Sequence, residues 1–437
     1  MTIYNGLTEL LTGLLALGSL LLLYLWTERG TRLRGALLRA LGRGTGRIDF
    51  TAFGWWHIAG VVIVGLGAVM GFDLATGMYA CSSPGNPSDI VGFLAQGQAL
   101  WRGTNPFNVP DCGTTILEPD GLSAVLINGL GSLGGLGGIA FVWGSISAAI
   151  VPVTSWGAGP DRRYLTVVVA ASPLYFPLVA GQIDGASNAL VPLAILLTLF
   201  LATRGETRAT GVAGFLATQR FPLLFPVLSM SGSFRRRFAA AFALVGVFAA
   251  GTAIAYLAWG SDFLGPVFLT QLGRRSFSLN FWGVLLLGNY LPSGYALAAG
   301  QAVLTLLLVV VVFFTVRSPL RAAAITLTGV ALLTQYLSFN ILVWLLPVAL
   351  VGVRPRWWLW GIAVVGSLNY EYALSVVAWT QGVLWPTEVL DAVLTVLLIG
   401  LLVDLWRTPD PVPTTAKGTS GAPNSSSSSV GVPGSGD

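Results

Sequence analysis

The chain has 437 residues, of which 54% are apolar and 9% charged, and its mean hydropathy is +0.76; soluble domains carry about 25% charged residues. That balance excludes an ordinary soluble fold, and apolar runs recurring to about residue 406 predict an all-α, polytopic helical membrane protein. A net charge of +5, from 22 Arg and one Lys against 18 acids, points to no nucleic-acid partner, because basic residues in such a chain report orientation.

The first apolar run, about 7–26, has no basic residue before it and contains Glu9, while Arg29, Arg32, Arg34, Arg39, Arg43 and Arg47 follow it. It is therefore expected to be a membrane span and no signal peptide, with its C-terminal end in the cytoplasm. Leu33, Leu37, Leu38 and Leu41 share a helical face, which predicts an interfacial helix closing an N-terminal unit over 1–51. A second span over 52–72 runs outward and delivers the polar loop 73–120 to the external face. The apolar region 121–155, with glycines at 121, 129, 131, 134, 135, 137 and 138, is too long for one helix and predicts a broken or re-entrant segment.

Further spans are expected at 164–180, 187–203, 238–259, 297–316, 321–338, 340–353, 357–379 and 387–405. The stretch 209–230, interrupted by Gln219, Arg220, Pro222 and Pro226, predicts a hairpin of two short helices. This gives about 11 to 13 membrane segments for the unit 52–406. The remainder, 407–437, is rich in Ser, Gly, Pro and Thr and is expected to be a disordered cytoplasmic tail. In this topology only Arg102, Arg274 and Arg275 lie outside, with Arg220 at a membrane break.

Segments 27–51, 73–120 and 260–276 are the sizeable polar ones in the body, and none has the roughly 100 residues of a nucleotide-binding domain. Neither a Gly-x-Gly-x-x-Gly fingerprint placed after a strand nor a P-loop pattern occurs. With only two Cys and one His, no metal or cofactor is expected; His57, beside Trp55 and Trp56, reads as an interfacial structural residue. Asp73, Asp89, Asp111, Glu118, Asp120, Asp184 and Asp262 all map to the external face or its membrane border, so any chemistry is expected there. Cys81 and Cys112 share the outer loop, in an oxidising compartment, which predicts a disulfide. Within that loop an amphipathic helix is expected to start near Ser88 and to end at Gly103 and Pro106, with Ile90, Phe93, Leu94 and Trp101 against the bilayer.

Leu100-Trp101-Arg102-Gly103-Thr104-Asn105-Pro106-Phe107 resembles the Leu-x-x-Gly-x-Asn-Pro-Tyr turn in the first external loop of the GT-C glycosyltransferases, above all family 87, the polyprenol-phosphate-mannose-dependent mannosyltransferases. Gly181-Gln182-Ile183-Asp184, Gln219-Arg220-Phe221-Pro222 and Leu337-Ser338-Phe339-Asn340 resemble later motifs of that family in the expected order, so the likeness covers roughly residues 54–380. Two departures stand out. Leu117-Glu118-Pro119-Asp120-Gly121-Leu122 occupies the place of a Tyr-x-Tyr-Pro-Pro-Leu segment, and a late His is replaced near Asn340.

The resemblance implies a GT-C-like fold with an external catalytic loop. It further implies transfer of a hexose, mannose in that family, from a polyprenyl-phosphate-linked donor to a lipid, glycan or protein acceptor, with inversion. Asp89 matches the family's catalytic Asp and would serve as base for the acceptor hydroxyl; alternatively it only favours a helix N-terminus. Arg220 matches a family cation, and Arg274 and Arg275 join it as candidates to stabilise the departing phosphate. Gln182, Asp184, Asn105 and Asn340 are assigned to substrate binding, and Arg102 to helix capping or the acceptor side. A rival reading is a secondary transporter or lipid flippase, with the Gly-interrupted stretch 129–138 and Glu371 as gating and ion-site elements.

Overall fold

The computed structural model describes residues 32, 36, 59, 89–111, 115–116, 121–158, 187–204, 206, 233–264, 294–333, 344–345, 348, 358–359, 361–362, 365–366 and 385–408. Regular structure among them is helical apart from one minimal ladder. The elements are α1 (Asp89–Trp101), β1 (Pro110–Asp111), β2 (Thr115–Ile116), α2 (Leu122–Ser132), α3 (Gly135–Ala158), α4 (Ser187–Thr203), α5 (Phe234–Trp259), α6 (Ser261–Leu264), α7 (Gly294–Thr315), α8 (Pro319–Leu333) and α9 (Trp385–Arg407). β1 and β2 pair antiparallel, with Pro110 opposite Ile116 and Asp111 opposite Thr115.

The region 121–155 does break, at Leu133–Gly134, into α2 and α3. α4 coincides with its predicted span, α5 starts four residues earlier than expected, and α9 extends two residues beyond 387–405 at each end. Ala59 is helical within the predicted second span, and Arg32 and Ala36 are helical within the Arg-rich stretch. The remainder of both segments, the 209–230 hairpin, His57 and Glu371 lie outside the described residues.

α1 packs on α2, α2 on α3 and α3 on α4, while α8 joins α7 to α9 and reaches α4. α8 is buried on all sides from Ala322 to Ala331, a run dominated by Ala, Thr and Gly. Small residues let helix backbones approach closely. Thr326 and Thr328 donate their hydroxyls to the carbonyls of Ala322 and Ala324, each at 2.7 Å, so that run carries its polar groups satisfied.

Two described helices, Phe234–Trp259 and Val389–Arg407, are long and apolar enough to cross a membrane by length and composition. Their outward faces are apolar as well: Phe242 on α5 is 73% exposed, and Val303, Leu307 and Phe314 on α7 and Val396 on α9 are exposed with it. A soluble monomer rarely carries so extended an apolar surface. The described helices fit a membrane-associated, all-α chain.

The helix ends are tied by arginines. A helix C-terminus leaves carbonyls without intrahelical donors and carries the negative end of the dipole. Arg237, in the first turn of α5 and 3% exposed, donates from Nη1 and Nη2 to the carbonyls of Phe313 and Val316 at the end of α7. Its guanidinium also lies 5.5 Å from the centre of the Phe313 ring. Arg321, in α8, donates from Nε to the Leu405 carbonyl at 3.0 Å and from Nη2 to that of Trp406 at 3.1 Å, closing the end of α9. Of the three consecutive arginines Arg235, Arg236 and Arg237, the third is thus a structural donor and more than an orientation signal.

Candidate functional site at the Asn105 turn

α1 ends where the chain can no longer stay helical. Gly103 adopts φ +68°, a left-handed conformation that glycine enters without steric cost. The Thr104 N–H donates to the Ala99 carbonyl at 2.9 Å, and the Thr104 hydroxyl donates to the same oxygen at 3.1 Å. Asn105 then folds the turn on itself, its Oδ1 accepting from the Phe107 N–H at 2.9 Å. This is the local bond for which Asn is favoured in turns.

The turn is seated by its last residue. Phe107 is 1% exposed and inserts among Val125 of α2, Ala255 of α5 and Phe263 of α6, with Leu100, Leu122 and Trp259 packed around. Its ring meets those of Phe263 and Trp259 edge-on, at 4.9 Å and 5.3 Å between centres, a favoured aromatic geometry. Above this apolar seat, Asn105 Nδ2 donates to Asp262 Oδ2 at 2.9 Å. Two segments 157 residues apart in sequence thereby meet at the C-terminal end of α5.

One face of α1 is corrected. Phe93 was expected against the bilayer, but it is 2% exposed and packs with Ala124, Ile139, Trp143 and Leu190, with Leu94 beside it. Its ring lies 5.8 Å from that of Trp143. At Phe93 the face expected to meet lipid is covered by α2, α3 and α4 instead. Trp101 remains exposed, although its Nε1–H donates to the Gly129 carbonyl at 2.7 Å.

Beneath α1 runs a buried polar chain that sequence reasoning missed. Trp143 Nε1 donates to Asn128 Oδ1 at 2.7 Å, and Asn128 Nδ2 donates to Gln96 Oε1 at 2.7 Å. An indole N–H can only donate, so it fixes the direction of the whole chain. Gln96 Nε2, at the end, finds no acceptor among the described residues. Gly97 makes the approach possible, since a Cβ there would collide with the Asn128 carbonyl and with Ser132. The available signal was Gln96 itself, a polar residue placed one helical turn from Phe93.

Of the predicted site residues, Asp89 opens α1, while Arg102 is exposed just past its end and Asn105 forms the turn. About 18 Å of helix axis separates Asp89 from Trp101, so α1 carries the expected base and the turn at opposite ends. Asp262, counted only as one external acid among several, is the residue that joins Asn105. Arg220, Arg274, Arg275, Gln182, Asp184, Asn340, Cys81 and Cys112 lie outside the described residues. Asp391, buried on α9, was passed over as part of an apolar run, although a carboxylate in such a run marks a position of interest.

No family model, curated protein or solved structure matches the chain.

Proposed function

We propose that this chain is a polytopic plasma-membrane glycosyltransferase of the GT-C type. It moves a hexose, mannose by the resemblance, from a polyprenyl-phosphate carrier to a lipid, glycan or protein acceptor on the extracytoplasmic face. The observation that carries this reading is the contact of Asn105 and Phe107 with Asp262, Trp259 and Phe263. It joins the polar segments 73–120 and 260–276 at one end of α5, while Arg235, Arg236 and Arg237 stand at the other, about 39 Å away along a 26-residue helix. Under the positive-inside rule the arginine end is cytoplasmic and the Asn105 end external.

In this mechanism the acceptor hydroxyl attacks the anomeric carbon as the bond from that carbon to the phosphate oxygen breaks. The hydroxyl proton passes to the Asp89 carboxylate, and polyprenyl phosphate leaves with the bonding electrons. Arg220, Arg274 and Arg275 stabilise the charge that develops on the phosphate. Gln182, Asp184, Arg102, Asn105 and Asn340 orient sugar and acceptor. A lipid-linked donor removes the need for a nucleotide-binding domain.

The test uses the full chain in nanodiscs with polyprenyl-phosphate mannose and a membrane-lipid extract as acceptor, following release of polyprenyl phosphate and labelled glycolipid. Wild type should transfer sugar, and a folded Asp89→Asn protein should bind donor but transfer about 100-fold more slowly. Near-normal transfer by Asp89→Asn removes Asp89 from the role of base. A wild-type protein that transfers hexose from no polyprenyl-linked donor refutes the enzyme.

A further inference from the structure

Three consecutive arginines open α5 and face different surroundings. Arg237 is buried and committed to the carbonyls of Phe313 and Val316, whereas Arg235 and Arg236 are exposed. Counting along the helix, Arg235, Phe238 and Phe242 fall at i, i+3 and i+7 and share one face. Phe238 and Phe242 are both exposed, their rings 6.4 Å apart. Phe234 packs on Phe313 and Phe314 of α7, each at 5.6 Å, and Phe314 is itself 64% exposed. An aromatic ridge thus bridges α5 and the last turn of α7, with two exposed guanidinium groups at its head.

We propose that this corner binds an anionic membrane phospholipid, its phosphate on Arg235 and Arg236 and its acyl chains along Phe238, Phe242 and Phe314. Charge complementarity favours it, because neither α5 nor α7 carries an acidic residue. Guanidinium matches phosphate in a two-pronged geometry. Ser233 makes no side-chain cap, so the amide end of α5 adds its positive dipole. The exposed apolar face continues from the arginines to Tyr256, a rise of about 32 Å, close to the roughly 30 Å of a bilayer's hydrocarbon core. A free phosphate would leave the aromatic ridge uncovered; a lipid covers both parts. The proposal rests on the membrane reading of the chain and is independent of glycosyl transfer.

Titration of the detergent-solubilised full chain with short-chain phosphatidylglycerol and with phosphatidylcholine, read by native mass spectrometry, tests it. Phosphatidylglycerol should be preferred, and the Arg235→Gln/Arg236→Gln variant should lose that preference, about fivefold per arginine and roughly 25-fold for the pair. Arg407→Gln, at a helix end outside the ridge, should retain it. Equal binding of the two lipids, an unchanged double variant, or an equal loss in Arg407→Gln overturns the site. So does displacement of the lipid by millimolar inorganic phosphate, which would make it a free-anion site. A chain that purifies as a monodisperse monomer without detergent would overturn the membrane reading itself, an outcome distinct from these.

Discussion

At its C-terminal end α5 meets the Asn105 turn through the ring of Phe107, whereas at its N-terminal end it meets α7 through the buried guanidinium of Arg237. The first junction is apolar at its centre and polar at its rim, where Asn105 and Asp262 meet in an exposed hydrogen bond. The second is polar at its centre, with the rings of Phe234, Phe238 and Phe313 around it. Ring packing tolerates small displacements. A buried charge does not, because every N–H removed from water must keep an acceptor. The guanidinium therefore fixes how far the end of α7 stands along α5, while the Phe107 seat supplies more cohesion and less register.

Four substitutions test this contrast by chemical or thermal unfolding in detergent. Phe107→Ala empties a fully buried ring site and should cost the most, about 3 to 4 kcal/mol. Arg237→Leu strands two carbonyls that now receive charged donors and should cost about 2 to 3 kcal/mol; a neutral or stabilising effect would show that apolar packing suffices at that end too. Asn128→Leu leaves the Trp143 N–H without its acceptor and should cost about 2 kcal/mol. Asp262→Ala should cost least, about 0.5 to 1 kcal/mol, since its bond to Asn105 competes with water. If Asp262→Ala proved more damaging than Phe107→Ala, the roles of centre and rim at that junction would be reversed.

The long apolar helices were legible in the sequence because run length alone selects them, as α4 and α5 show, and the glycines foretold the break between α2 and α3. Gly103 likewise announced the end of α1. The surroundings of Phe93 were not legible. An amphipathic helix has the same periodicity whether its apolar face meets lipid or protein, so only the packing of α2 and α3 decides. Partnerships at long separation were equally hidden: Asn105 with Asp262, and Arg237 with Phe313, pair residues whose types permit many partners. At the candidate site, Asn105 and Asp89 are singled out only by resemblance to a turn motif, and the polar chain from Trp143 to Gln96 has no motif at all.

The two arginine ties also set a timetable for synthesis. Arg237 precedes the carbonyls it holds by 76 and 79 residues, and Arg321 precedes its own by 84 and 85. At about 5 to 20 residues per second, each guanidinium waits roughly 4 to 17 seconds for acceptors that do not yet exist. During that interval water or lipid phosphate must satisfy it. The acceptors of Arg237 are synthesised before those of Arg321, so the tie between α5 and α7 becomes possible first, and that between α8 and α9 cannot be completed until Trp406 has left the ribosome.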